Sequence, residues 1–199
     1  KNTAFIADES AAGIADGDLT YGGENAVADG KATDSVTAKV TDANGNPVSG
    51  VEVSFSATGG AKVTVAAVTT GADGLAKTTV TSTTAGQATV TATAGDSEQT
   101  VNVNFTADGS TAVITDDNLS VDTGAVADGR ATNAVSAIVT DANGNPVAGQ
   151  EVTFSAAEGA DITPATATSG ADGRATASVT STKAGTYAVT AEVNGKGTT

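Results

Sequence analysis

Val36-Thr37-Ala38-Lys39-Val40-Thr41 runs into Asp42-Ala43-Asn44-Gly45-Asn46-Pro47-Val48, and Val51-Glu52-Val53-Ser54-Phe55 follows. Apolar and polar residues alternate on both sides of a cluster of Asp, Asn, Gly and Pro. Alternation with period two puts every second side chain on one face, the pattern of a strand buried on one side. Val and Thr are β-branched and suit that pleated surface. Asn44-Gly45 can supply the positive φ that a type I′ turn needs at both central residues, so the stretch predicts two strands joined as a hairpin.

Working outward, the same alternation recurs in Thr78-Thr79-Val80-Thr81, Ala88-Thr89-Val90-Thr91-Ala92 and Val101-Asn102-Val103-Asn104-Phe105. Asp73-Gly74 and Ala85-Gly86 mark further turns. No segment carries a helical apolar period. Short strands with turn signals between them, about seven per hundred residues, predict an immunoglobulin-type β-sandwich. The expected core is Val36, Val40, Val53, Phe55, Val80, Val90, Val103 and Phe105.

The deciding stretch occurs twice. Asp42–Val48 reappears as Asp141–Val147, 99 residues further on, and Gly71-Ala72-Asp73-Gly74 as Gly170-Ala171-Asp172-Gly173. Laid over one another, residues 28–100 and 127–199 are identical at 42 of 73 positions. The chain is thus read as all-β, two tandem immunoglobulin-like β-sandwiches, with Val135, Val139, Val152, Phe154, Val179 and Val189 as the second core. Phe5-Ile6-Ala7-Asp8 matches Phe105-Thr106-Ala107-Asp108 at an offset of 100, because the first copy has one extra residue near Tyr21–Asn25. The expected domains are therefore 1–8, the last strand of a preceding repeat; 9–107, a complete sandwich; and 108–199, a sandwich lacking its final strand. On this reading the piece is cut from a longer tandem array, out of phase with its modules.

Composition narrows the function. The 199 residues include no Cys, His, Met or Trp, and aromatic residues are 3%. Without Cys and His there is no thiolate site, cysteine nucleophile or Ser-His-Asp triad. Asp and Glu number 23 against 9 Lys and Arg, a net charge of -14, which repels nucleic-acid phosphates. No catalytic residues are expected.

The runs Ala28–Thr33, Val40–Val48, Val51–Phe55, Gly71–Ala76 and Thr81-Ser82-Thr83 with Ala85-Gly86 resemble the group 1 bacterial Ig-like domain. Such domains build the exported part of intimin- and invasin-like inverse autotransporter adhesins. The resemblance implies a cell-surface protein anchored in the outer membrane by a β-barrel, with an adhesive tip at the far end. It implies a stalk or spacer role for these modules, in attachment to host cells or biofilm. The partners it implies are adjacent Ig-like repeats and, through the parent protein, a host cell surface or other bacteria. Receptor-binding residues of the family lie in tip domains, so none transfers to this chain.

Several residues invite a chemical role. Asp8, Glu9, Asp16 and Asp18 gather before the first copy, and Asp108, Asp116, Asp117 and Asp122 before the second. Calcium takes six to eight oxygen ligands, so Asp108, Asp116 and Asp117 are candidates for Ca2+ at a module junction; solvated acidic surface is the preferred reading, since spacing alone does not bring the oxygens together. Asp42-Ala43-Asn44-Gly45-Asn46 has its Gly fourth, not sixth as a calcium loop requires, and reads as a turn. Asp29, Asp73, Asp128 and Asp172 sit in Asp-Gly turns. Lys39 and Lys62 face Ile138 and Asp161 in the second copy, which argues against a shared isopeptide cross-link. Tyr21, beside the insertion at Gly22-Gly23-Glu24, and Tyr187 occur in one copy each, and are candidates for direct partner binding through loops. Finally, Lys1–Ile6 is a spare copy of the strand expected to be missing from the second module. Such a spare strand predicts head-to-tail strand pairing between molecules.

Overall fold

The computed structural model describes residues 1–23 and 25–199. It divides into two compact units, Lys1–Thr106 and Ala107–Thr199. In the first unit the strands are β1 (Gly13–Tyr21), β2 (Asp34–Thr41), β3 (Glu52–Ala57), β4 (Ala61–Val63), β5 (Ala67–Thr69), β6 (Leu75–Ser82), β7 (Gly86–Ala94) and β8 (Ser97–Phe105). They form two antiparallel sheets in the orders β1-β2-β6-β4 and β5-β3-β7-β8. The second unit has β9 (Leu119–Val121), β10 (Asn133–Ile138), β11 (Glu151–Ala156), β12 (Asp161–Thr163), β13 (Thr166–Thr168), β14 (Arg174–Thr180), β15 (Val189–Val193) and β16 (Lys196–Thr198). Their orders, β9-β10-β14-β12 and β13-β11-β15-β16, repeat the first unit strand for strand. Each unit is an Ig-like sandwich. The three-residue strands β4, β5, β12 and β13 are too short for alternation to reveal, and each unit has eight strands where about seven were expected.

Every residue expected in either core is buried. Phe55 and Phe154 are the large side chains of each centre, and Val48, Val147, Ile14 and Ile114 join them. Much of the remaining core is Ala, as at Ala38, Ala76, Ala92, Ala137 and Ala191. Small side chains let the two sheets approach closely, so few aromatics are needed.

The hairpin expectation at Asn44-Gly45 is overturned. β2 and β3 lie in different sheets, so this segment crosses between sheets. Asn44 has no positive φ; Gly45 alone does, at φ 82°. The Gly45 N–H donates to the Asp42 carbonyl at 3.0 Å, closing a four-residue turn, and the second copy repeats it at Gly144 and Asp141. Local sequence distinguishes a turn from an extended chain, but the partner of each strand is chosen by long-range packing. The Asn-Gly hairpin with both φ positive is instead Asn194-Gly195, between β15 and β16.

The two chain ends are built differently. Lys1–Ala7 forms no strand, and Phe5 and Ile6 are 93% and 94% exposed. β16 pairs with β15 from Val193↔Lys196 to Ala191↔Thr198, so the strand expected to be missing from the second module is present in its first three residues. Among the described residues, no helix is long and apolar enough to cross a membrane.

Candidate functional site

In each unit an aspartate of the turn after the second strand holds the entering chain. The Asp8 N–H donates to Asp42 Oδ2 at 3.1 Å, and the Asp108 N–H to Asp141 Oδ2 at 3.0 Å. Asp42 Oδ1 also accepts the N–H groups of Asn44 and Asn46, both at 2.9 Å, and Asn46 Nδ2 donates to Oδ2 at 2.9 Å. Asp141 makes the same set with Asn143 and Asn145. Donors gathered on a carboxylate stabilise its charged form. The Asn46 side chain, then the N–H groups of Asp8 and Asn46, hold Asp42 down to about 2. At Asp141 burial pushes upward, but the Asn145 amide and the N–H groups of Asp108 and Asn145 outweigh it, and the net displacement is downward.

Asp29 and Asp128 do similar local work. Asp29 Oδ1 accepts from the Lys31 and Ala32 N–H groups, each at 2.7 Å, and Asp128 from Arg130 and Ala131. Both carboxyls lie below their ordinary value, chiefly through the N–H of Ala32 and of Ala131. These aspartates fold turns.

The calcium candidates are placed on separate tasks. Asp108 caps a short 3-10 turn, with Oδ1 accepting from the Ser110 N–H at 3.0 Å and its hydroxyl at 2.6 Å. Asp116 Oδ1 accepts from the Thr198 hydroxyl, and Asp117 is the next residue of the 3-10 turn Asp116–Asn118. Among the described residues no three His, Cys, Asp or Glu side chains are grouped to hold a metal ion.

Of the two tyrosines, Tyr21 ends β1, pairs with Val36 and packs half-buried against the first core. Glu24 of the neighbouring insertion lies outside the described residues. The extra residue falls between Tyr21 and Ala26: Ala26 N–H donates to Asp34 Oδ2 as Ala125 N–H does to Asn133 Oδ1, 99 residues on. Tyr187 stands where the first copy has Ala88. Its hydroxyl donates to the Lys183 carbonyl at 2.9 Å, and its ring covers Gly159, where a Cβ would come within 2.9 Å of Cε1.

Tyr187 also walls a cleft of about 390 Å³, with Val121, Val126, Ala131, Val179 and Val189. Sequence reasoning did not locate this groove. Its signal was Tyr187, a large ring in place of the Ala88 of the first copy.

Residues 16–106 and 116–199 each match the bacterial Ig-like domain, group 1. The chain belongs to this family. An inverse autotransporter adhesin of Escherichia coli strain K12, YeeJ, is 36% identical over 197 residues, which is 96% of this chain and 8% of that protein. The chain thus spans a small part of the curated relative it matches. The D0-D1 domain of intimin is 31% identical over 89% of this chain and 91% of that one, with a TM-score of 0.43. The Escherichia coli adhesin FdeC superposes with a TM-score of 0.66 at 23% identity, over 98% of this chain and 62% of that chain, a likeness of fold alone. The group 1 Ig-like family is one of structural and binding modules, and no enzyme family is indicated.

Proposed function

We propose that the two modules are a stalk segment of a bacterial surface adhesin, displayed outside the outer membrane through the parent protein, and that they carry an adhesive tip away from the cell. The observation that carries this reading is what the two copies share. The Asp42 and Asp141 anchors, the Asp29 and Asp128 turns and the valine cores all serve to fold a module and attach its entering chain. Among the described residues, no three His, Cys, Asp or Glu side chains are grouped to hold a metal ion in either copy. The named relatives, an inverse autotransporter adhesin and intimin, point to the same setting. A nine-residue strand such as β8 spans about 30 Å, so each module adds a few nanometres of reach. The net charge of -14 discourages sticking to anionic envelopes and to other copies of the stalk. Adjacent repeats of the same chain are its expected neighbours, and isolated copies would pair head to tail through Lys1–Ile6.

The reading invokes no calcium; in the fold Asp108 and Asp116 accept hydrogen bonds from Ser110 and Thr198. The test is binding of the labelled chain to host cells and matrix proteins beside the tip of the parent protein, with calcium and with chelator. The stalk reading expects binding by the tip and none by the chain, whichever ion condition is used. Saturable binding by the chain that Tyr21→Ala or Tyr187→Ala abolishes would assign recognition to the modules themselves. A melting temperature raised by calcium and lost on Asp108→Asn or Asp117→Asn would restore a metal to the second module.

A further inference from the structure

The chain has few side chains that react without an enzyme. It has no Cys, Met, Trp or His, so oxidation of sulfur, indole or imidazole is closed to it. Amide chemistry remains, since Asn is among the heat-labile residues. An Asn followed by Gly can lose ammonia, because the Gly nitrogen has no side chain to keep it from the Asn Cγ. Three such pairs occur, Asn44-Gly45, Asn143-Gly144 and Asn194-Gly195. The fold treats them differently. The Gly45 N–H donates to the Asp42 carbonyl and the Gly144 N–H to the Asp141 carbonyl, both at 3.0 Å. The Asn44 and Asn143 N–H groups donate to Oδ1 of the same two aspartates, each at 2.9 Å. In both turns the nitrogen that must attack is bound, and the Asn before it is pinned.

Asn194-Gly195 lacks that restraint. It is the exposed two-residue turn between β15 and β16, flanked by the pair Val193↔Lys196. Asn194 has φ 53° and Gly195 φ 72°, the left-handed pair of a type I′ turn. In that turn the closing hydrogen bond joins the two flanking residues, which leaves the Gly195 N–H outside the ladder. Asn194 Nδ2 donates to Gln150 Oε1 at 3.4 Å, a long bond that holds the amide loosely. We propose that Asn194 is the site of spontaneous covalent modification in this fold, by deamidation ahead of Asn44 and Asn143. The Gly195 nitrogen gives its proton to a solvent base and bonds to Asn194 Cγ. The Cγ–Nδ2 bond breaks, and ammonia leaves with a proton from water. Water then opens the cyclic imide at either carbonyl. Opening at Cγ leaves aspartate at position 194; opening at the main-chain carbonyl leaves isoaspartate, with the chain running through Cγ. Either product adds a negative charge. Isoaspartate also adds a methylene to a turn whose pairing depends on two residues, and so loosens β15 from β16. The first module has Gly95-Asp96 in this turn, so the labile amide belongs to the second module. The inference is independent of the stalk reading.

The test holds the full chain in warm, mildly alkaline buffer, with a second sample in urea, and follows tryptic peptides by mass spectrometry. Cleavage at Lys and Arg puts the three pairs on separate peptides, 40–62, 131–174 and 184–196, and fragment spectra locate the residue. In the folded chain, conversion of amide to acid is expected about tenfold or more faster at Asn194, because each of the other Gly nitrogens must first give up its hydrogen bond. An isoaspartate methyltransferase should label the same peptide. Asn194→Gln, whose longer side chain closes the ring poorly, should remove both signals. In urea the three sites should convert at similar rates, since the local Asn-Gly pair is the same. Conversion of Asn44 or Asn143 as fast as Asn194 in the folded chain overturns the proposal. So does an Asn194 that stays amide in the fold while the unfolded chain converts. The same preference for Asn194 in urea also overturns it, by assigning the difference to sequence and not to the turn.

Discussion

Gly74 and Gly45 have similar backbones and different neighbours. Both have positive φ, 72° and 82°. A Cβ on Gly45 meets open space, while one on Gly74 would lie 2.6 Å from the Val40 carbonyl oxygen and 2.9 Å from Pro47 Cβ. Gly45→Ala is expected to cost about 1 kcal/mol, the backbone preference alone. Gly74→Ala is expected to cost roughly 2–4 kcal/mol, because strain and a backbone clash add. Urea unfolding of the two variants measures the difference. Asp42 makes a second prediction at this scale. Its carboxyl is held at about 2 in the fold against 3.8 unperturbed, and Asp141 is displaced the same way. A depressed carboxyl adds stability above its unfolded value and loses it as pH falls through the folded one. The melting temperature should be level above about pH 5 and drop between roughly pH 4 and 2. The double variant Asp42→Asn, Asp141→Asn should be less stable at neutral pH and show a shallower acid drop.

At the scale of elements, one strand behaves differently in the two copies. β1 continues through Gly17, which sits at φ 83° where the pairing register shifts between Ile14 and Leu19. The corresponding residue is Asp117, and there the chain folds into the 3-10 turn Asp116–Asn118, leaving only Leu119–Val121 as strand. Glycine accommodates the bulge at little cost, and an L side chain does not. β8 makes the converse point. Its last residue, Phe105, closes the first core. Phe105→Ala is expected to cost about 3–5 kcal/mol and to open in the first module a cleft like that of the second. Denaturant unfolding of residues 1–106 with and without the substitution reads that loss.

For the whole molecule, each unit has its own pair of sheets and its own buried cluster. Residues 1–106 alone are expected to unfold in one cooperative transition at the midpoint they show within the full chain. Residues 107–199, with β16 only three residues long and the groove open, should unfold at lower denaturant. A calorimetric scan of the two pieces and the full chain checks both statements. A first module that fails to fold alone would mean that the two copies share stability.

The sequence by itself determined the class of this protein and its repetition. Period-two runs of Val, Thr and Ala make strands, and 42 identities at one offset make two modules. The inward-facing residues were legible as well, since alternation assigns each side chain to a face before any partner strand is known. Asp108, Asp116, Asp117, Tyr21 and Tyr187 could be noticed in the sequence, but not what they touch. Tertiary structure alone decided which strands pair, because β2 and β3 are neighbours in sequence and lie in opposite sheets. It also showed that Asp42 and Asp141 tie down an entering chain more than thirty residues away. Only it revealed the groove beside Tyr187. Alternation is a local property of the chain, whereas a hydrogen-bond partner or an unfilled cleft depends on which distant segments the core draws together.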